Sequence, residues 1–165
     1  MKKVIKVKLS AQGIEDAITE LQMYREEVER RVKLLVQKLT ERGANIARAK
    51  VVEMGAYYTG ELLGSINSYL FSFGGSPIGF IRVNAEYGMF VEFGTGIVGA
   101  NGPAHPSEVF DWEYDVNNHG EAGWHFPADD GSYPITRGQV SRPFMYETAF
   151  QLRDELSTIV KEVFG

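Results

Sequence analysis

The spacing of hydrophobic and polar positions changes period several times along the chain, and each change predicts an element. Residues 3–9 alternate, with Ile5, Val7 and Leu9 on one side and Lys6 and Lys8 on the other. That predicts a short strand near a sheet edge, where lysines discourage unwanted pairing. Ser10 and Gly13 break the alternation. Ile14, Ile18, Leu21, Val28, Val32, Leu35, Leu39 and Ile46 then recur at steps of three, four or seven, which predicts one long helix ending near Met54-Gly55. Its apolar stripe reads as a core-packing face. Arg25 and Arg42 interrupt the stripe, and Gly43 marks a bend in this reading.

After the helix, Thr59-Gly60-Glu61-Leu62-Leu63 predicts a capped turn leading into one more helical turn. Two β-prone runs, 66–73 and 78–83, flank Gly74-Gly75-Ser76-Pro77 and predict a hairpin. Residues 86–96 fit both periods; Tyr87 and Val91 are four apart, while Tyr87, Met89, Val91 and Phe93 alternate. One helical turn followed by an extended stretch stopping at Gly94 is the favoured reading. Residues 95–138 form a long connection punctuated by glycine and proline, and such connections are usually functional when they lie in compact domains. Trp112, Tyr114, Trp124, Phe126 and Tyr133 make it a flap that folds onto something, with a short hairpin of its own. A last helix follows, capped by Ser141, with Pro143 in its first turn and Met145, Ala149, Leu152, Leu156, Ile159 and Val163 as its apolar face. The expected fold is therefore α+β: one domain over 1–165, with an antiparallel sheet packed by a long N-terminal helix and a C-terminal helix. The flap spans 95–138.

Composition narrows the class. At 165 residues and 44% hydrophobic the chain is long enough to bury a core. It has no cysteine, which removes disulfides, thiolate nucleophiles and Cys-based zinc sites. Lys6 and Lys8 interrupt any signal-peptide apolar region after Met1-Lys2-Lys3, and no apolar run approaches a membrane span. A net charge of −5 argues against general nucleic-acid binding. The charge is segregated, however. Asn101 to Thr136 holds seven acids and no Lys or Arg, whereas Arg25 to Lys50 holds eight bases and four acids. Solvated faces are the plain explanation; an acidic flap meeting a basic helix across a subunit boundary is the sharper one.

Candidate chemistry is sparse. His105, His119 and His125 lie near Asp111, Asp129 and Asp130, which raises a metal-dependent hydrolase, but no pair has the helical spacing of a His-Glu-x-x-His site. Glu86 and Glu92 raise a pair of glycosidase carboxylates, though no sugar groove accompanies them. Gly94-Thr95-Gly96 lacks a Walker lysine. The expectation is no enzyme, no metal and no cofactor.

Several segments, in order, carry a resemblance. Ala85-Glu86-Tyr87-Gly88-Met89-Phe90-Val91-Glu92-Phe93-Gly94-Thr95-Gly96 resembles the "Tyr-Ala…Val-Glu-Phe-Gly-Thr" signature of the long-tailed bacteriophage head–tail joining and tail-completion proteins. Thr59-Gly60-Glu61-Leu62…Ser65-Ile66 resembles that family's "Thr-Gly-x-Leu…Ser-Ile" element. Gly138-Gln139…Ser141-Arg142-Pro143-Phe144 is similar to its "Gly-x…Arg-Pro-Phe" approach to the last helix. Gly88 stands where the family more often has alanine. The resemblance implies a structural virion protein of the neck, with no cofactor or catalysis. It implies self-assembly into a ring, six copies expected, against head-closure, tail-terminator or tail-tube proteins, with DNA passing through unbound. Tail terminator and capsid-side minor head protein are the neighbouring roles. The assembly residues it singles out are Thr59, Gly60, Leu62, Tyr87, Phe90, Glu92, Phe93, Gly94, Arg142, Pro143 and Phe144. Tyr87, Phe90 and Phe93 are expected as core anchors, Glu92 as a strut at Gly94, and Arg142 as its ion-pair partner. Trp112, Trp124, Asp129 and Asp130 are expected at the flap interface.

Overall fold

The computed structural model describes residues 4–56, 60–107, 111–114, 116, 120–126, 128 and 130–165. Thr59, Glu108, Asp115, His119 and Asp129, all invoked above, lie outside the described residues. The fold is α+β. Helix α1 (Ala11–Glu53) leads through the short α2 (Glu61–Ser65) into a hairpin of β1 (Ile66–Phe73) and β2 (Ser76–Val83). Two short helices, α3 (Gly88–Phe93) and α4 (Gly96–Ala100), precede a two-residue pairing of β3 (Trp124–His125) with β4 (Ile135–Thr136), and α5 (Phe144–Phe164) closes the chain.

Helix α1 is the spine. Ser10 caps it, its Oγ accepting from Gly13 N at 3.1 Å, so the residue that breaks the early alternation is the one that starts the helix. On its C-terminal half α1 carries both other layers. Gly43 is the meeting point: a side chain there would strike Ile81 of β2 and Leu152 of α5. The glycine predicted to bend the helix instead lets a strand and a helix approach it closely. Helix α5 runs antiparallel to α1, as Arg42 bonds Glu155 at 2.6 Å, Lys38 bonds Glu162 at 3.0 Å, and Arg31 Nη1 donates to the Val163 carbonyl at 2.8 Å. The core is Ala44, Ala47 and Val51 of α1 with Leu62, Ile66, Ala85, Val91 and Phe144.

The hairpin pairs Ile66 with Val83 through to Phe73 with Ser76, turning on Gly74 and Gly75, both at positive φ as a two-residue hairpin turn demands. Ser76 and Pro77, read as turn residues, belong to β2. Three further expectations are corrected. Residues 4–8 make no strand, because Ser10 anchors them at the end of α1 opposite the hairpin, out of reach of its edges. Ile14, Ile18 and Leu21 are exposed rather than core-packing; the stripe is covered only where the hairpin and α5 lie on it. On α5 the inner face is rotated from the expected one, with Phe144, Thr148, Ile159 and Val163 inside and Ala149 and Leu156 facing out. Thr148 is tolerated inside because its Oγ1 donates to the Phe144 carbonyl at 2.7 Å.

Two predictions follow from this packing. At Gly79 an added Cβ would run into Thr40 Oγ1 and Val36. Gly79→Ala should therefore destabilise the fold by about 1–3 kcal/mol in urea titration. Adding Thr40→Ala should recover part of that loss, and strictly additive effects would refute the close approach. The second concerns acid. The Arg42 hydrogen bond, with help from Gln151, holds the Glu155 carboxyl down at about 2 against 4.5. Its stabilising contribution is complete above pH 4.5 and is lost as pH falls from there through about 2. Because the pair is exposed, added salt should weaken it. Melting temperatures followed between pH 5 and 2 should fall less steeply for Glu155→Gln than for the wild type, and equal slopes would count against the pair.

Candidate functional site

Two of the three segments that carry the resemblance, 85–96 and 138–144, are brought together, and the contact is made mostly by backbone. Helix α3 runs on to Phe93, where an extended stretch was expected, and Gly94 leaves it at φ 82. A side chain at Gly94 would collide with Ser141 N and the Gln139 carbonyl, so glycine is needed both for its dihedral and for room. Thr95 and Gln139 then exchange two backbone hydrogen bonds at 2.9 and 3.1 Å.

Carbonyls at the end of α3 accept further hydrogen bonds from the same returning segment. Gln139 Nε2 donates to Phe90 O at 3.3 Å, Arg142 N to Val91 O at 2.9 Å, and Ser141 Oγ to Glu92 O at 2.7 Å. Ser141 therefore ties off α3 and does not cap α5.

The cap of α5 comes from Glu92. One carboxylate oxygen accepts from Met145 N at 2.8 Å and the other from Tyr146 N at 2.9 Å. Pro143, at the N-cap position, offers no side-chain hydrogen bond, so the helix start depends on an acid 53 residues upstream of Met145. The negative charge also faces the positive end of a 21-residue helix. His105 completes the site. Ser107 N donates to its Nδ1 at 3.0 Å, which leaves Nε2–H to donate to Glu92 Oε1 at 3.1 Å. Its ring lies 4.4 Å from Phe93 and 5.4 Å from Tyr146, centroid to centroid.

The expected Glu92–Arg142 pair is not formed. Arg142 Nε donates to Met54 O at 3.2 Å, and Nη1 to Gln139 Oε1 at 3.0 Å. Met54 is the C-cap of α1, so Arg142 serves the negative end of one helix while Glu92 serves the positive end of another. Each charge is worth more on a helix end than on the other, since the end groups have no intrahelical partners. Glu92 likewise does not brace Gly94, whose carbonyl accepts from Trp112 Nε1 at 3.0 Å.

Of the three aromatic anchors, Phe93 is buried and Tyr87 half-buried, but Phe90 is 48% exposed. Phe90 faces the flap, with its centroid 6.0 Å from Trp112, which itself stacks on Phe93 at 5.0 Å. Leu62 and Phe144 are core, and Gly60, at φ 84, starts α2 without a side-chain cap. Trp124 lies over Gly96. Asp130 is exposed, and the Ser132 hydrogen bond lowers its carboxyl from the usual value. Flap and α3 enclose an open cleft of about 610 Å³, lined by Tyr87, Phe90, Trp112, Trp124 and Phe126, with Glu113 at its wall. A smaller one of about 430 Å³ lies beside Met89, Phe93, His105 and Tyr146.

The two titratable groups at the centre of the latch are already committed. Glu92 has both oxygens in use and His105 both nitrogens, so neither is an open acid, base or ligand. His125 Nδ1 donates to the Tyr133 carbonyl at 2.6 Å. Among the described residues no three His, Asp or Glu side chains are placed to hold a metal. No helix among the described residues is long and apolar enough to cross a membrane. Six of the eight bases between Arg25 and Lys50 are in ion pairs with acids of α1 or α5, so that stretch offers less free positive charge to an acidic flap than its composition implied.

Sequence reasoning missed His105, Gln139 and Ser141 as parts of the latch. A helix opening on Arg-Pro-Phe with no capping side chain at Pro143 was the available sign that its cap is supplied from elsewhere. No family model, curated protein or solved structure matches the chain.

Glu92→Ala should remove both α5 caps and cost about 2–4 kcal/mol, seen as a melting temperature roughly 5–15 °C lower. Glu92→Gln, which keeps one acceptor, should cost less, and His105→Ala less again. Equal melting temperatures for Glu92→Ala and wild type would eliminate the latch.

Proposed function

We propose that this chain is a structural virion protein of a bacteriophage neck, completing the tail and joining it to the head as a subunit of a ring around the DNA channel. The reading is carried by one observation. Two of the segments that resemble the tail-completion family, Val91-Glu92-Phe93-Gly94-Thr95 and Arg142-Pro143-Phe144, are the two halves of a single buried latch. Residues that matter for a motif of this kind then matter because they hold a shape, which is what a ring component requires. The committed state of Glu92 and His105 is in keeping with a role without catalysis. Partners in this reading are further copies of the chain and the head-closure, tail-terminator or tail-tube proteins. The net charge of −5 favours DNA sliding past without adhering, since phosphate repulsion removes the gain from counterion release. The protein would be found in host cytoplasm during assembly and in the virion neck afterwards.

Electron microscopy of particles made without this chain tests the proposal. Full heads beside separate tails are expected, with joining restored by the wild-type chain and not by Glu92→Ala. Intact, tailed and infectious particles in its absence would end the neck reading.

A further inference from the structure

The hairpin is covered on one face only. Its inner residues rest on α1, with Gly79 against Val36 and Thr40 and Ile81 against Gly43. Tyr69, Phe71, Phe73, Ile78 and Phe80 all lie on the other face, and every one of them is exposed. Tyr69 and Phe80 are directly paired and stack at 5.0 Å, with Phe71 edge-on to Phe80 at 5.9 Å. Five adjoining large apolar side chains on one sheet face are an interaction surface, unlike the scattered single ones that any protein shows.

A second uncovered surface lies on the same chain. Helix α5 reaches Arg31 of α1 and ends there, and the hairpin packs further along, at Val36, Thr40 and Gly43. Residues 11–30 form an arm of about 30 Å at 1.5 Å per residue. Ile14, Ile18 and Leu21 run along it at helical spacing, exposed. The arm cannot fold back onto its own hairpin, because it is the continuation of one unbroken helix. The whole chain exposes 11427 Å², where a compact monomer of its mass exposes about 8,200 Å².

We propose that the arm of one copy, residues 11–23, lies on the outer hairpin face of the next copy. The two surfaces match in kind, an apolar helix stripe and an apolar sheet face, which is the pairing α1 already makes with the hairpin's inner side. Their lengths are compatible, because residues 11–23 span about 20 Å of helix and eight-residue strands span about 26 Å. Their charges are opposite: residues 11–23 carry Glu15, Asp16 and Glu20 and no base, and the only charged residue of the hairpin is Arg82, exposed on the outer face opposite Asn67. The contact joins two different surfaces, so it propagates head to tail and closes into a ring where the rotation permits. It rests on the self-association in the neck reading and names the surfaces that make it.

The absence of native cysteine makes the test direct. Full-length Ile18→Cys and Phe80→Cys proteins, made separately with tags of different mass, are mixed and treated with a short bismaleimide cross-linker. A covalent pair holding one of each is expected, in at least tenfold higher yield than when Phe80→Cys is mixed with Ser157→Cys. Leu21→Glu, at an exposed position and checked for unchanged circular dichroism, should reduce that yield about tenfold and shift sedimentation toward monomer. Three results would overturn the contact: oligomers without the cross-link, a yield indifferent to Leu21→Glu, or a monomer at every concentration. The first two leave the neck reading intact. Particles that join heads to tails without this chain would remove that reading while leaving the cross-link result unaffected.

Discussion

A carboxylate buried among backbone N–H groups has to be satisfied completely or the fold around it fails, and Glu92 sets that condition here. It is only 7% exposed, and its two oxygens receive two helix N–H groups and one imidazole. The geometry demands that α3 end where it does, that the chain return past Gly94 without a side chain in the way, and that α5 begin at Phe144. Arg142 answers the same requirement at the opposite pole of α1. The two charges are thus held by the ends of two different helices.

Helix α1 supplies the frame within which that latch closes. Its C-terminal half receives the hairpin on one side and α5 on another, through glycine and alanine positions that let backbones come close. Its bases are largely neutralised by neighbouring acids, two of them, Glu155 and Glu162, on α5. The result is a firm spine with strong local packing at one end and an unclothed apolar stripe at the other. Stability and the capacity to associate are in this way assigned to different halves of one helix.

How much of this was legible in the sequence depends on the range of the interaction. The long helix, the hairpin with its Gly74-Gly75 turn and the last helix follow from periodicity, which is a local property. The existence of a short hairpin within the flap was legible too. Helix α4, five residues with two glycines, gave no periodic signal. Residues 4–8 had the alternation of a strand, but a strand also needs an edge within reach, and alternation says nothing of that. The apolar stripe of α1 likewise identifies a face without saying whether anything covers it, so Ile14 to Leu21 were misread as core. Glu92 and Arg142 were recognised as important and wrongly paired with each other, because opposite charges are visible in a sequence and unsatisfied helix ends 53 residues away are not.

The flap begins and ends at one place. Thr95 and Gln139 are joined by two backbone hydrogen bonds, so everything between them leaves and re-enters the fold through a single clasp. A loop whose ends are already held together is cheap to lengthen, since doubling its length costs only about 0.6 kcal/mol in closure entropy. His105 and Trp112 reach back from the flap to Glu92 and Gly94, so the latch fixes those two positions, while the chain beyond Trp112 can change in length without moving them. Chain length beyond Trp112 is thereby left free to vary, on a base whose dimensions stay constant.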